Sequence, residues 1–296
     1  MTVTEVEGRR LSLSNLDKVI YPETGTTKGE LLHYYAVHAG VLLPHLRDRT
    51  VSFLRYPDGP EGQKFFTKNL PPGTPEWVAT AEVPEWSASE GRQVVIHDLP
   101  SLIWAANLVV EFHIHQWPAA TPATADRLIL DLDPGAPADI TDCCRVAGWL
   151  RDRLTADGLT VFAKTSGAKG LHLVSPLDPP APSEQVSAYA RALARLAQAE
   201  LGGAATAVMA RRERAGKVFI DWSQNAAAKT TAAPYTVRAR ATPGVSAPVS
   251  WGELADCADP QQLRFELPDL PARLERHGDL MAGLLSPLHA APLPRA

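Results

Sequence analysis

The segment LILDLDPG, residues 128–135, constrains this chain more than any other stretch. Its leucines and isoleucine read as a buried strand, yet two carboxylates interrupt it. Burying an unpaired carboxylate is costly, and such groups are normally paired or bound to a metal. Side chains alternate along a strand, so Asp131 and Asp133 share one face, with Cα atoms roughly 6.5–7 Å apart. That spacing is too wide for a shared proton and suits two carboxylates gripping one or two hard cations. Pro134 and Gly135 then end the strand as a turn. Two readings stay open here: a metal-binding pair, or a strand end whose aspartates cap the following helix. A calcium loop fits less well, because its sixth position calls for glycine and Ala136 stands there.

The surroundings bound the possibilities. The chain has 296 residues, 45% of them hydrophobic, enough for one large domain or two small ones around a cleft. Helical spacing at 28–46, 140–157 and 182–201 is interleaved with strand-like runs at 50–56, 159–164, 170–177 and 216–222. Residues 101–117 begin as a helix and end as a strand. Mixed elements throughout predict an α+β (mixed α/β) fold. Residues 1–8 read as a loose terminus, 70–77 as a loop and the chain beyond Asp269 as helical. The Pro-rich stretch 286–296 reads as a disordered tail, which leaves one domain over 1–285.

A net charge of −4 argues against non-specific nucleic-acid binding driven by bulk charge, although EGQKFFTKN and MARRERAGK are locally basic. No apolar run approaches a membrane span, and the first residues lack a signal-peptide core. Cys143, Cys144 and Cys257 form no C-x-x-C pair and no secreted framework, so they read as structural thiols of a reducing cytosol. The expected location is the cytoplasm.

Further residues bear on the aspartates. Asp221 interrupts a second apolar strand, VFIDW; it is either a lone buried aspartate bonded to backbone or a third ligand. Paired divalent ions about 3.5–4 Å apart need several carboxylates and serve phosphoryl and nucleotidyl transfer. KTSGAKGLHL places Ser166, Lys169 and His172 in a small-residue turn between strands. Gly167 and Gly170 allow backbone to approach a ligand closely, and the cation and hydroxyl suit a triphosphate. The turn lacks the Walker A pattern and leads into a strand, so a plain glycine-rich hairpin is the other reading. In TVRAR, Arg238 and Arg240 fall on one face of a possible strand. In KFFTK, Phe65 and Phe66 lie between lysines, as core residues or as a base-stacking platform.

Together these motifs resemble the polymerase domain of bacterial DNA ligase D, within the archaeo-eukaryotic primase superfamily. LDKVIYP, TKGELLHYY, FFTKN, EFHIHQW, DLDPG, TSGAKGLH, FIDWSQN and YTVRARATPGVSAPVSW occur in family order over nearly the whole chain. The resemblance implies a two-part fold with an RRM-like catalytic sheet and a cleft. It implies metal ligation by Asp131, Asp133 and Asp221. Nucleotide contacts are implied for Phe65, Phe66, His113, Ser166, Lys169, His172, Gln224, Arg238 and Arg240, with His115 on the same strand face as His113. It also implies a pocket for a downstream 5′-phosphate at Asn15, Lys18 and Lys28, joined by Arg55. Two Mn²⁺ or Mg²⁺ ions, ribonucleoside triphosphates, gapped or broken DNA, a Ku-like end-binding protein and a DNA ligase are the implied cofactors and partners. No ligase-type lysine motif is found, which fits a stand-alone relative or an excised domain.

The expected activity is template-directed nucleotidyl transfer in repair of double-strand breaks by non-homologous end joining. Two rivals are a phosphohydrolase using the first aspartate of D-x-D as nucleophile, and a non-catalytic DNA-end scaffold. The mid-chain DLDPGA lacks the phosphohydrolase continuation. The third aspartate speaks for retained chemistry.

Overall fold

The structure, a computed structural model, describes residues 1–85 and 91–295. Among these the strands form two six-stranded sheets and two short hairpins. The first sheet is built on Thr50–Arg55, flanked antiparallel by Val110–Ile114 on one side and by Phe65–Thr67 and Arg92–Val95 on the other. Helices Lys28–Val37, Ala39–Leu46 and Leu99–Ala106 cover it, and Leu31, Tyr35, Phe53, Leu102 and Phe112 fill the core between them. A single helix over 28–46 was expected. The break falls at His38, which leaves helical geometry and caps both pieces.

The second sheet is centred on Thr124–Pro134, antiparallel to Leu171–Pro182 on one side and to Val218–Asp221 on the other. Helices Ile140–Ala156 and Ser183–Glu200 pack against it. Ile140, Cys143, Ala147, Leu150 and Leu154 recur at helical spacing and are buried, as an amphipathic helix requires. The three thiols are free, Cys143 and Cys144 among them inside this core. Leu128, Leu130 and Leu132 point into it. Ile129 joins a small cluster on the opposite face, the face that Asp131 and Asp133 share. The helix after the strand is capped by Asp139, whose side chain accepts from Thr141 N–H. Asp131 and Asp133 therefore do no capping.

The chain returns late to the first core. Tyr235, Val237, Ala239, Val245 and Ala247 pack there with Tyr21 and Tyr35, so the 233–247 segment ties the two halves together. The expected strand at Arg238 and Arg240 does not form; an isolated bridge, Val237 with Val245, stands in its place. Two other expectations are corrected. The terminus is a hairpin of Thr2–Val6 with Arg9–Leu13. The Pro-rich stretch is ordered: Asp178 N–H donates to Ala291 C=O (3.0 Å), and Ala291 and Leu293 pack on the second core. Two apolar side chains and two backbone hydrogen bonds at the sheet edge hold a segment that composition alone left loose. The last residue of that stretch, Ala296, lies outside the described residues.

Candidate active site

Strand register assembles the centre of the cleft. Asp131 lies opposite His172 on one neighbouring strand and opposite Asp221 on the other. Gln224, in the turn after Asp221, donates from Nε2 to Asp221 Oδ2 (3.0 Å) and, at 3.5 Å, to Asp131 Oδ2. Asp221 also accepts from the N–H (3.0 Å) and hydroxyl (2.5 Å) of Ser223. Burial raises the Asp131 carboxyl to about 6, against the pull of Lys164, Arg238 and Gln224. Burial and then the Asp131 charge raise Asp133 to about 6, opposed by His172 and Lys169. Each therefore sits well above the usual aspartate range because desolvation outweighs the cations present.

That donor set fits divalent ions. Three oxygen-bearing side chains on adjacent strands, two of them under-compensated, suit Mg²⁺ or Mn²⁺. Among the described residues, however, no group of three or more His, Cys, Asp and Glu is gathered as a ready-made metal cage. Asp221 has its oxygens turned to Ser223 and Gln224. Its recruitment to a metal requires Gln224 to yield.

The turn facing the carboxylates is built by its own serine. Ser166 Oγ accepts from the N–H groups of Ala168 (3.2 Å) and Gly170 (3.1 Å). Gly170 is obligatory, since a Cβ there would lie 2.0 Å from Leu132 C=O. Gly167 has φ +68° and passes against Arg238 and Ser246, a conformation that glycine adopts without strain. A cleft of about 200 Å³ is lined by His113, Asp131, Asp133, Ser166, His172 and Arg238, among others. Lys169 is exposed and lines the neighbouring, more apolar cavity of about 470 Å³ behind the turn. That larger cavity holds neither Asp131 nor Asp133; both line the smaller one. Lys169 reaches the cleft by its charge on Asp133. Arg240, also exposed, borders both cavities.

The opposite wall comes from the first sheet. In Val110–Ile114 the apolar Val110, Phe112 and Ile114 face the core, leaving Glu111 and His113 on the cleft side. Glu111 Oε2 accepts from His113 Nε2 (2.9 Å) and Arg238 Nε (2.8 Å), and Oε1 from Ala239 N–H (2.6 Å). Burial alone would raise its pKa; these donors outweigh burial and hold it at about 2. Arg238 also donates to Ser166 C=O, so one guanidinium joins both walls. Phe66, half exposed, meets His113 edge-on at 5.7 Å between ring centroids. Phe65, its exposed neighbour, pairs across the sheet with Arg55 and turns to the other face. His115 is fully buried, stacked on Trp117 at 4.1 Å, and lies outside the cleft lining.

The proposed phosphate pocket is partly brought together. Lys28 N–H donates to Lys18 C=O (2.8 Å), and Lys18 N–H to Asn15 C=O (3.0 Å), with Asn15 at φ +54°. Burial, then the Lys18 charge, lowers Lys28 to about 8. Lys18 Nζ donates to Pro57 C=O and Asp58 Oδ1, both at 2.7 Å. Arg55 ends the strand two residues before Pro57. The N–H groups that open the 28–37 helix are all engaged: Lys28 with Lys18, Gly29 with Leu16, and Glu30 with the Thr27 cap. An anion here would meet lysine side chains rather than free helix amides.

Sequence reasoning passed over Glu111, Lys164 and Ser246. Glu111 and Lys164 carried the signal that exposed Asp131: each is a charge inside an apolar strand.

A carboxylate pair on a sheet face, set across a cleft from an imidazole and a guanidinium in a two-lobed α/β architecture, is a donor set of the kind that metal-dependent nucleotidyltransferases use. Comparison with known proteins gives the family: residues 27–281 match the LigD primase-polymerase domain, and the chain belongs to it. The chain is 40% identical over 278 residues to the multifunctional non-homologous end joining protein LigD of Mycolicibacterium smegmatis, covering 93% of this chain and 36% of that protein. It is 28% identical over 271 residues to the bifunctional LigD of Bacillus subtilis, covering 91% of this chain and 43% of that one. The chain thus spans well under half of these relatives. The polymerase domain from Mycobacterium tuberculosis ligase D, solved in complex with DNA, superposes with a TM-score of 0.87 at 38% identity, covering 93% of this chain and 98% of that one. The fold is therefore of the archaeo-eukaryotic primase type. Among the described residues no helix is long and apolar enough to cross a membrane.

Proposed function

We propose that this chain performs template-directed nucleotidyl transfer at the Asp131–Asp133 cleft, filling gaps or ends during non-homologous end joining. The observation that carries the proposal is the strand geometry, with the charge it concentrates. Two carboxylates share one sheet face, both pushed up to about 6, with a third in register beside them. Such a site gains by taking up cations, and a triphosphate brings them.

Asp131, Asp133 and Asp221 would hold two divalent ions, Mn²⁺ or Mg²⁺. Bound there, the ions supply charge that lowers the pKa of an attacking hydroxyl and neutralises a departing pyrophosphate. The remaining work falls to the chain. His113, fixed by Glu111, and Phe66 would flank the nucleotide, with the exposed ring face open to a base. Ser166 and His172 face the space left for phosphates, and Lys169 and Arg240 add positive charge at its rim. Arg238 is committed to Glu111 and Ser166, so its part is to set the distance between the walls. Asn15, Lys18, Lys28 and Arg55 would receive a downstream 5′-phosphate. Ribonucleoside triphosphates, a Ku-like end-binding protein and a DNA ligase are the proposed substrates and partners, in a bacterial cytoplasm beside the nucleoid.

Labelled-primer extension across a gapped duplex, with Mn²⁺ and each nucleotide in turn, tests the reading. Template-matched addition is expected. Release of phosphate without extension would favour a phosphohydrolase, and binding without either would favour an end scaffold.

A further inference from the structure

The backbone leading to Arg238 is held by tyrosines. Tyr34 Oη donates to Tyr235 C=O (2.8 Å), Tyr35 Oη accepts from Val237 N–H (3.0 Å), and Tyr21 Oη donates to Arg238 C=O (3.0 Å). Tyr35 Oη also donates to Val110 C=O (3.3 Å), at the start of the strand that carries Glu111 and His113. All three side chains are buried, none lines the cleft, and the chemistry proposed above uses none of them. A carbonyl oxygen only accepts, so the single Tyr21 proton is committed to Arg238, and Tyr56 Oη, 2.8 Å away, must donate to Tyr21.

These phenols stand on the elements that carry the lysine pocket. Lys28 opens the helix Lys28–Val37, which bears Tyr34 and Tyr35. Lys18 directly precedes the strand Val19–Tyr21, and Tyr56 directly follows Arg55. Lys18 Nζ grips Pro57 C=O at 2.7 Å, and Tyr56 C=O accepts from Gly59 N–H at 2.9 Å. Gly59, at φ +86°, passes so close to the other segment that a Cβ there would lie 2.6 Å from Ile20 C=O. Segments 18–21 and 56–59 are thus held together at a surface end by the lysine and at a buried end by the two hydroxyls. At the cleft, Arg238 Nε donates to Glu111 Oε2 (2.8 Å) and the guanidinium also donates to Ser166 C=O, so a shift of the Arg238 backbone is felt by both walls.

We infer that Tyr21, Tyr34 and Tyr35 are positioning residues of the nucleotide cleft: they fasten the Arg238 segment to the two elements that carry Lys18 and Lys28, so that a 5′-phosphate bound by those lysines stiffens the cleft and strengthens nucleotide binding. The inference rests on the polymerase and phosphate-pocket readings above and names the residues that join the two sites. An ammonium has three donors. Lys18 uses two of them, on Pro57 C=O and the exposed Asp58, so it can take a phosphate oxygen without releasing the Tyr56 segment. Ordering the surface end of this block lowers the ordering cost left to a nucleotide at the other end.

The test uses the whole chain with Mn²⁺ and a fluorescent ribonucleoside triphosphate. The chain is saturated with a gapped duplex whose primer ends in a 3′-dideoxynucleotide and whose downstream strand bears a 5′-phosphate or a 5′-hydroxyl. In wild type the phosphate should tighten nucleotide binding about fivefold, and by reciprocity the nucleotide should tighten the phosphorylated gap over the hydroxyl gap by the same factor. Tyr21→Phe removes one oxygen and should abolish this difference, while the duplex itself still prefers the phosphate. Tyr34→Phe frees Tyr235 C=O on the same segment and should also lower the difference; it decides the matter if Tyr21→Phe does not melt cooperatively. Tyr56→Phe, which leaves the Tyr21–Arg238 bond in place, should fall between wild type and Tyr21→Phe. Tyr189→Phe loses a buried phenol's bond to Asp157 (2.7 Å) on the far side of the second core and should keep the wild-type difference. A difference that survives in cooperatively melting Tyr21→Phe overturns the inference, and so does its loss in Tyr189→Phe, which would mark an effect of general stability. A wild type whose DNA binding prefers the phosphate but whose nucleotide binding ignores it overturns the inference and leaves the pocket standing. A duplex bound equally well with either end removes the pocket, and the coupling with it. If the phosphate tightens nucleotide binding through Tyr21 but a primer with a free 3′-hydroxyl is not extended, the polymerase reading fails and the positioning role stands.

Discussion

Glu111 is buried and Asp131 largely so, facing one cleft from neighbouring sheets, yet their surroundings push them to opposite ends of the carboxylate range. Glu111 has a histidine, an arginine and a backbone N–H on its oxygens and is held at about 2. Asp131 has His172 Nε2 at 3.3 Å, Gln224 at 3.5 Å, and Lys164 and Arg238 nearby, and is still raised to about 6 by burial. A carboxylate whose charge is answered inside the protein belongs to the scaffold. One whose charge is only partly answered, beside a second like it, is set to receive a cation from outside. The same residue chemistry thus yields a rivet on one wall and a receptor on the other.

The largest effect that could break this comparison is on activity. Asp131→Ala should lower primer extension by at least about 10²–10³-fold, with an unchanged far-ultraviolet circular dichroism spectrum. Extension at the wild-type rate would remove Asp131 from the receptor class altogether.

The next effect is on stability, and it falls on the rivet. Glu111→Ala leaves Arg238 buried without its partner, a loss on the order of 3–5 kcal/mol, read from urea denaturation. Glu111→Gln keeps the shape and an acceptor for Ala239 N–H, so it should cost less. Because the folded pKa is depressed, the contribution is whole above the ordinary glutamate range and is lost as pH falls through about 2. The gap between wild type and Glu111→Gln should therefore narrow in acid. A gap independent of pH would show that Glu111 acts by packing alone.

A smaller effect has the opposite sign. The raised pKa of Asp133 means that its protonated form favours the fold: stability is full below the ordinary aspartate range and is lost as pH rises through about 6. Without metal, Asp133→Asn should melt about 2–4 °C above wild type at pH 7 and level with it at pH 4. Adding Mn²⁺ should raise wild type and leave the variant nearly unmoved. A variant that melts below wild type at pH 7 without metal would mean that Asp133 is already compensated.

The contrast between rivet and receptor was only half legible in the sequence. Period-two alternation put Asp131 and Asp133 on one face, and it holds for Glu111 and His113 too, because one face of each strand must enter a core. The difference between Glu111 and Asp131 is long-range: Arg238 and Ala239 arrive from more than a hundred residues away. Local pattern cannot show which charge finds a partner. Lys169 likewise sits in the expected turn, where it lines the neighbouring cavity while its charge still reaches Asp133. The possible strand at Arg238 and Arg240 gives way to bent backbone beside an isolated bridge, and this separates an arginine that holds the walls from one that stays exposed. The N-terminal hairpin and the ordered Pro-rich stretch depend on a few edge contacts, which leave little trace in composition.

The smallest effect concerns the lysine pocket, which sits between the two classes. Lys18 is answered by the exposed Asp58 at 2.7 Å. Lys28 is not: it is buried to 5% exposure, with Ser14 Oγ at 3.2 Å, and burial with the Lys18 charge lowers it to about 8. By the logic of Asp131, an unanswered Lys28 is the half of the pocket that awaits an anion. A terminal phosphate is close to doubly charged above its second pKa of about 6, so its charge hardly changes between pH 7 and 9, while Lys28 passes from mostly protonated to mostly neutral. Binding of a gapped duplex bearing a 5′-phosphate, relative to the same gap with a 5′-hydroxyl, should therefore be favoured by about fivefold at pH 7, on the order of 1 kcal/mol, and by much less at pH 9. Asp58→Asn, which frees Lys18 from a solvent-exposed ion pair of small worth, should raise the preference by about twofold at most. Lys18→Ala with Lys28→Ala should erase it at both pH values. A preference that persists at pH 9, or survives the double substitution, would place the phosphate away from these lysines and leave Lys28 a buried cation of the scaffold, like Arg238.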